Sequence, residues 1–341
     1  MTNHSSLTGW RRVTGLVLGL TAALTVLLVA FAWPPSQLEP RDLPIAVAGP
    51  PGAADQVAGA LGGGFGADAF DVKAVDSRDA AVAAIENREV YGAVVAATTG
   101  SEMLVSSAAS PVVAQMLTQV GTQLAAASGA QPAVVDVVPT PEDDPRGAVF
   151  AAGAFPLVIG GLAVGVALAL RVSGRGGRLL AGLGVAAASG LALAAVQQFW
   201  FGALEGSYWA NAGVYALAVG AMAAAVVGLH NVLGLPGLGL AAGTILLLGN
   251  PLSAITSAPE LLPDGWSLLG QLLPPGAGGS ALRSTAFFDG AGATFPLLVL
   301  AAWLVVGVAL AVLPMHRSVT ETPVRRTSSP TGPAVDAPQP A

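Results

Sequence analysis

The chain has no cysteine, so disulfides, thiolate zinc sites and cysteine nucleophiles are excluded. Charge is scarce as well. Asp, Glu, Lys and Arg make up 10% of the 341 residues against 53% hydrophobic residues, whereas soluble globular chains carry about 25% charge. Most of this chain must lie where charge is costly. Aromatics are few, and Ala, Gly, Val and Leu supply the apolar content. Such small side chains suit close helix packing in a bilayer. Lysine is represented by Lys73 alone, every other basic residue being arginine, a bias of high-GC bacterial coding sequences. No G-x-x-x-x-G-K-[ST] occurs, so the chain does not itself hold ATP in a P-loop. With a net charge of −6, nucleic acid is not an expected partner.

What is present is a set of long apolar runs. The first, residues 13–33, comes after Arg11 and Arg12. About twenty residues span a hydrocarbon core as a helix. Ala30-Phe31-Ala32 offers a small-x-small cleavage site, but a signal-peptide core is about 7–15 residues long. The run is therefore read as an uncleaved anchor after a cytoplasmic N-terminus, residues 1–12. Further runs at 149–170, 179–201, 208–229, 235–257 and 295–314 each suffice to span. Six transmembrane helices result, five of them clustered within residues 148–314. The tail, residues 315–341, is polar, Pro-rich and aperiodic, as expected of disorder.

Residues 34–147 differ in kind. They hold 14 acidic and 5 basic residues and alternate between elements. Leu43–Ala48, Phe70–Val75, Tyr91–Ala97 and Ala133–Val138 read as strands, with helices near Ala53–Leu61 and Ser77–Asn87. A further helix opens at Ser110 as N-cap, with Pro111 in its first turn. Its apolar positions Val113, Met116, Leu117, Val120 and Leu124 keep three-and-four spacing. This is the pattern of a small α/β domain with a mainly parallel sheet, inserted between the first and second spans.

Orientation is set by arginine. Arg11 and Arg12, then Arg171, Arg175 and Arg178, then Arg317, Arg325 and Arg326 all fall on one side of a six-span chain. Short cytoplasmic loops collect such residues, so both termini are expected in the cytoplasm and the α/β domain outside.

Chemistry-bearing motifs are thin. Gly62, Gly63, Gly64 and Gly66 lead out of a helix, not into one, and read as a connector. Ser280 sits in a sequence that lacks the final glycine of a nucleophile turn. The three histidines, His4, His230 and His316, map to the opposite edge of the membrane. No catalytic residues, metal ligands or cofactor site emerge, so no enzyme activity is expected. No Asp, Glu, Lys or Arg lies within the core of any span, which counts against ion-coupled transport. The polar residues near the spans are Gln197, Gln198, Asn211, Asn250 and Ser253; they either hydrogen-bond neighbouring helices or line a path. Gly161 with Gly165 and Gly239 with Gly243 form G-x-x-x-G pairs that favour close helix contact, within one chain or between two copies. In residues 257–294, two short helices are expected at or dipping into the outer leaflet, about 264–273 and 280–288. Pro274-Pro275 would stop the first.

One span, a large external α/β domain and five clustered spans resemble the permease subunits of type-two ABC exporters and the related phage-infection-protein family. Leu43-Pro44-Ile45-Ala46-Val47-Ala48 resembles the opening strand of their external domains. Asp79 to Ile85, then Val90 to Val95, resembles their helix-to-strand passage. Gly249-Asn250-Pro251-Leu252-Ser253, Leu262-Pro263 and Leu273-Pro274-Pro275 resemble the end of their fifth span and the segment before the sixth. The resemblance implies a homodimeric permease in the bacterial plasma membrane that moves an amphiphilic or envelope-related substrate. Energy would come from a separate cytoplasmic ATPase pressing on the loop that carries Arg171, Arg175 and Arg178. That loop is short and glycine-rich, a poor coupling helix by propensity. The alternative expectation is a non-transporting membrane protein whose external domain binds a partner, phage or envelope component.

Overall fold

A computed structural model describes residues 4–97, 100–128, 131 and 133–314. The C-terminal tail, with Arg317, Arg325 and Arg326, lies outside the described residues.

Helix α1 (His4–Ser36) leads into strand β1 (Leu43–Ala48), helix α2 (Ala53–Phe65), β2 (Phe70–Val75), α3 (Arg78–Glu86), β3 (Gly92–Ala97), β4 (Gly100–Val105), α4 (Pro111–Ser128) and β5 (Ala133–Asp136). The five strands form one sheet in the order β2-β1-β3-β4-β5. β1 runs parallel to both β2 and β3, and β4 runs parallel to β5, while β3 and β4 are antiparallel in register from Gly92↔Val105 to Ala97↔Gly100. β4 is absent from the sequence reading. Its first residues, Gly100-Ser101-Glu102, carry little strand propensity, and the strand is held by pairing on both edges. Central β1 is buried along nearly its whole length, as its unbroken apolar run requires.

Local chemistry sets the helix starts. Ser77 Oγ accepts from the Ala80 amide at 3.1 Å, and Ser110 Oγ accepts from the Val113 amide at 3.3 Å. Val113, Leu117 and Val120 on α4 are buried against the sheet, while Gln115, Gln119 and Gln123 face outward. Helix α2 continues through Gly62, Gly63 and Gly64 to Phe65 and stops at Gly66, whose φ of 106° suits glycine. Those glycines form the last helical turn, not an open connector.

The second half is helical: α5 (Ala148–Ala152), α6 (Ala154–Arg171), α7 (Arg175–Ala195), α8 (Tyr208–Leu233), α9 (Leu235–Ala242), α10 (Trp266–Gln271), α11 (Pro274–Phe287) and α12 (Thr294–Val312). Among the described residues, five stretches are long and apolar enough to cross a membrane: Trp10–Ser36, Ala148–Arg171, Arg175–Trp200, Tyr208–Leu233 and Thr294–Val312. The remaining apolar run is shorter. It is helical over Leu235–Gly249, with π-helical turns from Gly243 and a 3₁₀ turn at Pro251–Ser253. Fifteen residues cover about 22 Å at the α-helical rise.

Helix α8 is the hub, packed by α6, α7 and α12. Between Asn211 and His230 it is apolar on nearly every side, as a buried helix should be. Glycine permits the close approaches. A Cβ on Gly161 would fall 2.9 Å from Met222 Cε, and one on Gly165 would fall 2.6 Å from Val226 Cβ. This G-x-x-x-G pair therefore packs α6 on α8 within the chain. Gly239 and Gly243 face open space. Helix α1 stands largely apart, its apolar side chains exposed from Trp10 to Val29. It meets the rest near its C-terminus, where Trp33 packs edge-on against Trp266 at 5.3 Å.

The segment between Ser257 and Thr294 belongs to both halves. Ala258, Leu261 and Phe288 are buried in the core of the sheet unit, whereas Ala277, Ala281, Leu282 and Ala286 are buried in the helical core. Helices α10 and α11 form a hairpin whose tip, Leu273 and Pro275, lies against Gly249. The two prolines occupy the first positions of α11, where a missing amide and a fixed φ favour a helix start. Pro274-Pro275 thus opens the second helix six residues before its expected beginning. Helix α11 is largely buried; it is α10, with Leu268 and Leu269, and the following Leu272 that are exposed.

Candidate functional site

The helical bundle has two chemically distinct ends. At one, Arg178 donates from Nε to Val172 O at 2.8 Å and from Nη2 to Ala169 O at 3.1 Å. Arg175 Nη2 donates to Leu313 O at 3.3 Å, and Asn231 Nδ2 donates to Leu310 O and Leu313 O at 2.9 and 3.1 Å. The C-terminal carbonyls of α6 and α12 are thereby met by cations, which the helix dipole favours. Arg171 is exposed beside them. The α6–α7 connection has only three residues, Val172 to Gly174, and no separate helix. His230 also lies at this end, in the last turn of α8, away from Ser280 in the hairpin.

At the other end the sheet unit meets the bundle. The chain enters through Asp144, whose buried carboxylate accepts from the Phe150 amide at 2.8 Å. Among the polar residues singled out from sequence, Gln198 and Asn211 come together. Asn211 Nδ2 donates to Gln198 Oε1 at 3.1 Å and to Glu205 O at 2.8 Å, while its Oδ1 accepts from Thr285 Oγ1 at 2.8 Å. This network ties the π-helical turn Val196–Trp200 that continues α7 to α8 and α11. Gln197 turns elsewhere, its Nε2 donating to Val149 O at 3.4 Å while its buried Oε1 has no partner among the described residues. Asn250 and Ser253 form a separate group. Ser253 Oγ donates to Asn250 O at 2.7 Å, and Ser253 O accepts from Gln271 Nε2 at 3.1 Å. Gln271 Oε1 in turn accepts from Ser280 Oγ at 2.6 Å.

The joint between the halves rests on Arg88, Tyr91, Glu260 and Arg283, none of them a candidate site residue from sequence. Arg88, in the turn after α3, has a φ of 59°. Its Nη1 donates to Ser280 O at 3.1 Å and to Ser284 Oγ at 2.5 Å, and its guanidinium lies 5.4 Å from the centre of the Phe288 ring. Burial lowers its pKa, partly offset by Tyr91 and Glu260. Tyr91 donates its hydroxyl to Glu260 Oε2 at 2.7 Å. Burial and then the Glu260 charge push the Tyr91 pKa well above its ordinary value. Arg283 is 4% exposed. Its Nη2 donates to Ile255 O at 2.7 Å, its guanidinium sits 5.0 Å from the centre of the Phe150 ring, and its Nε has no partner among the described residues. One sequence signal pointed to this joint: Arg283 is the one arginine in the connectors opposite the arginine-rich side.

Two cavities accompany these ends. A small one of about 130 Å³ lies at the joint and is lined in part by Arg283, Phe150, Asp144 and Thr140. A larger one of about 570 Å³ runs along α7, α8 and α12 and includes Arg175 and Arg178 in its wall. Gln197, Gln198, Asn211, Asn250 and Ser253 line neither. No group of three or more metal-ligating side chains occurs among the described residues. No family model, curated protein or solved structure matches the chain.

Proposed function

We propose that the chain is the permease subunit of an exporter of the type-two ABC kind, moving an amphiphilic or envelope-related substrate with energy from a separate cytoplasmic ATPase. The meeting of two interrupted elements carries this reading. The apolar run from Leu235 breaks at Asn250-Pro251, and Gly249 there abuts the α10–α11 tip. In a bilayer, irregular backbone is tolerated only beside protein or a water-filled cavity, and discontinuous helices are where transporters place their sites. In this reading six segments cross the bacterial plasma membrane, with Leu235–Ser253 as a shorter, broken one. The α10–α11 hairpin re-enters from outside, residues 34–147 are external and both termini are cytoplasmic. Two copies would form the permease. With no coupling helix between α6 and α7, Arg171, Arg175 and Arg178 themselves face the ATPase.

The break also gives the test. A Cβ on Gly249 would lie 3.5 Å from Leu273 Cβ, within disulfide reach, and 2.9 Å from the Pro275 ring, so the reduced pair, which carries the same crowding, is the reference for the oxidised one. In the purified full chain, a P-loop ATPase should co-elute. Oxidising the Gly249→Cys/Leu273→Cys pair should reversibly suppress its membrane-dependent ATP hydrolysis. A chain that purifies alone, or a lock without effect on hydrolysis, would favour the other reading, in which the external domain binds a partner and nothing is transported.

A further inference from the structure

We infer that the 570 Å³ trough along α7, α8 and α12 is a binding site for an anionic phospholipid, with one acyl chain in the trough and the phosphate at Arg175 and Arg178. The trough exists because α7 and α12 both pack along α8 but touch each other little. The floor on α8 is built of small residues, Ala216, Gly220 and Ala224, while Leu183, Leu304 and Val308 form part of the walls. No side chain among the described residues fills it: a Cβ on Gly220 would have only Ala186 and Leu304 among them within 4 Å, both at 3.7 Å.

Its length matches one leaflet. On α7 the lining runs from Arg175 to Ala187, about 18 Å at the helical rise, a little over half of a hydrocarbon core about 30 Å thick. Its volume falls in the range of about 300–1,000 Å³ typical of small-molecule sites. An acyl chain fits both limits.

Charge at the mouth selects the headgroup. Arg175 and Arg178 are oriented by the carbonyls of α12 and α6. No carboxylate among the described residues pairs with either. Every acid among the described residues precedes Pro145 or lies in the 202–207 and 257–294 segments, at the sheet end of the bundle. Basic pockets between transmembrane helices on the cytoplasmic side are recurrent sites for anionic lipid headgroups. The headgroup argument rests on the proposed orientation, which puts this end in the cytoplasm, but not on transport.

The test uses the full chain in zwitterionic phosphatidylcholine nanodiscs, titrated with phosphatidylglycerol of matched acyl chains. Bound lipid is counted by native mass spectrometry. The wild type should retain phosphatidylglycerol in preference to phosphatidylcholine. Arg175→Gln and Arg178→Gln should each weaken that preference about fivefold. Gly220→Leu should fill the trough and abolish retention of the tightly held lipid while leaving the lipid-free melting temperature at or above the wild-type value. Because Arg178 also caps α6, Gly220→Leu decides the matter if Arg178→Gln proves unstable. Equal retention of the two lipids by the wild type, or undiminished phosphatidylglycerol binding by Gly220→Leu, would overturn the assignment.

Discussion

Replacing Arg88 should loosen the sheet unit from the bundle, and two substitutions should do so unequally. The guanidinium donates to Ser280 O and Ser284 Oγ across the joint and covers the Phe288 ring. Hydrogen bonds involving a charged group contribute about 1.5–3 kcal/mol, and a cation over an aromatic face adds about 0.5–2 kcal/mol. Both bonds leave one nitrogen, so they are not counted twice. Arg88→Ala should therefore cost about 3 kcal/mol. Arg88 also holds a φ of 59°, a region that costs a side-chain-bearing residue about 1–2 kcal/mol and glycine little. Arg88→Gly loses the same contacts but relieves that strain, so it should cost about 1 kcal/mol less than Arg88→Ala. Thermal unfolding in detergent gives the ranking, and amide exchange locates the effect. Protection should fall in α11 and around Phe288 while α6 and α7 keep theirs. A wild-type melting temperature for Arg88→Ala would refute the contact assignment, and greater damage from glycine than from alanine would refute the strain assignment.

Tyr91 predicts an alkaline limb. Its pKa is raised in the folded state, so the neutral hydroxyl is the form the fold favours. Its contribution is complete below the ordinary tyrosine pKa of about 10 and declines as pH rises above that value towards the folded one. Tyr91→Phe should flatten this part of the stability–pH curve; an unchanged slope above a pH of about 10 would contradict it. Gly307 predicts a packing defect, because a Cβ there would run into the Ala224 backbone on α8. Gly307→Val should destabilise the bundle by about 1–3 kcal/mol or more, read as a lower melting temperature, whereas Gly239→Ala, facing open space, should not.

Some of this architecture is legible in the chain. β1 and β2 arise from unbroken or alternating apolar runs, and α4 announces itself through Ser110, Pro111 and its spaced apolar residues. The hidden features depend on partners distant in sequence. β4 needs β3 and β5 beside it to be a strand. Pro274-Pro275 can end one helix or begin another, and the burial of α11 between the sheet unit and α8 decides for the beginning. Gln198 and Asn211 were recognisable as polar residues beside apolar runs, but not their shared partner Thr285. Arg88 and Ser284 are 196 residues apart, and no local periodicity connects them. The trough is likewise a property of three helices together; its arginines read from sequence as a docking loop, with no sign of the apolar space behind them.

Orientation can be measured directly, because the cysteine-free chain accepts single cysteines without background. Ser106 is unsuitable, being buried and donating its hydroxyl to Val138 O. Thr122 and Ser207 are exposed at the sheet end, and Ser173 is exposed at the arginine end. With the sheet unit outside, Thr122→Cys and Ser207→Cys should react with an impermeant maleimide in intact cells, and Ser173→Cys only after permeabilisation. Labelling of Ser173→Cys in intact cells, with Thr122→Cys protected until the membrane is opened, would contradict the proposed topology.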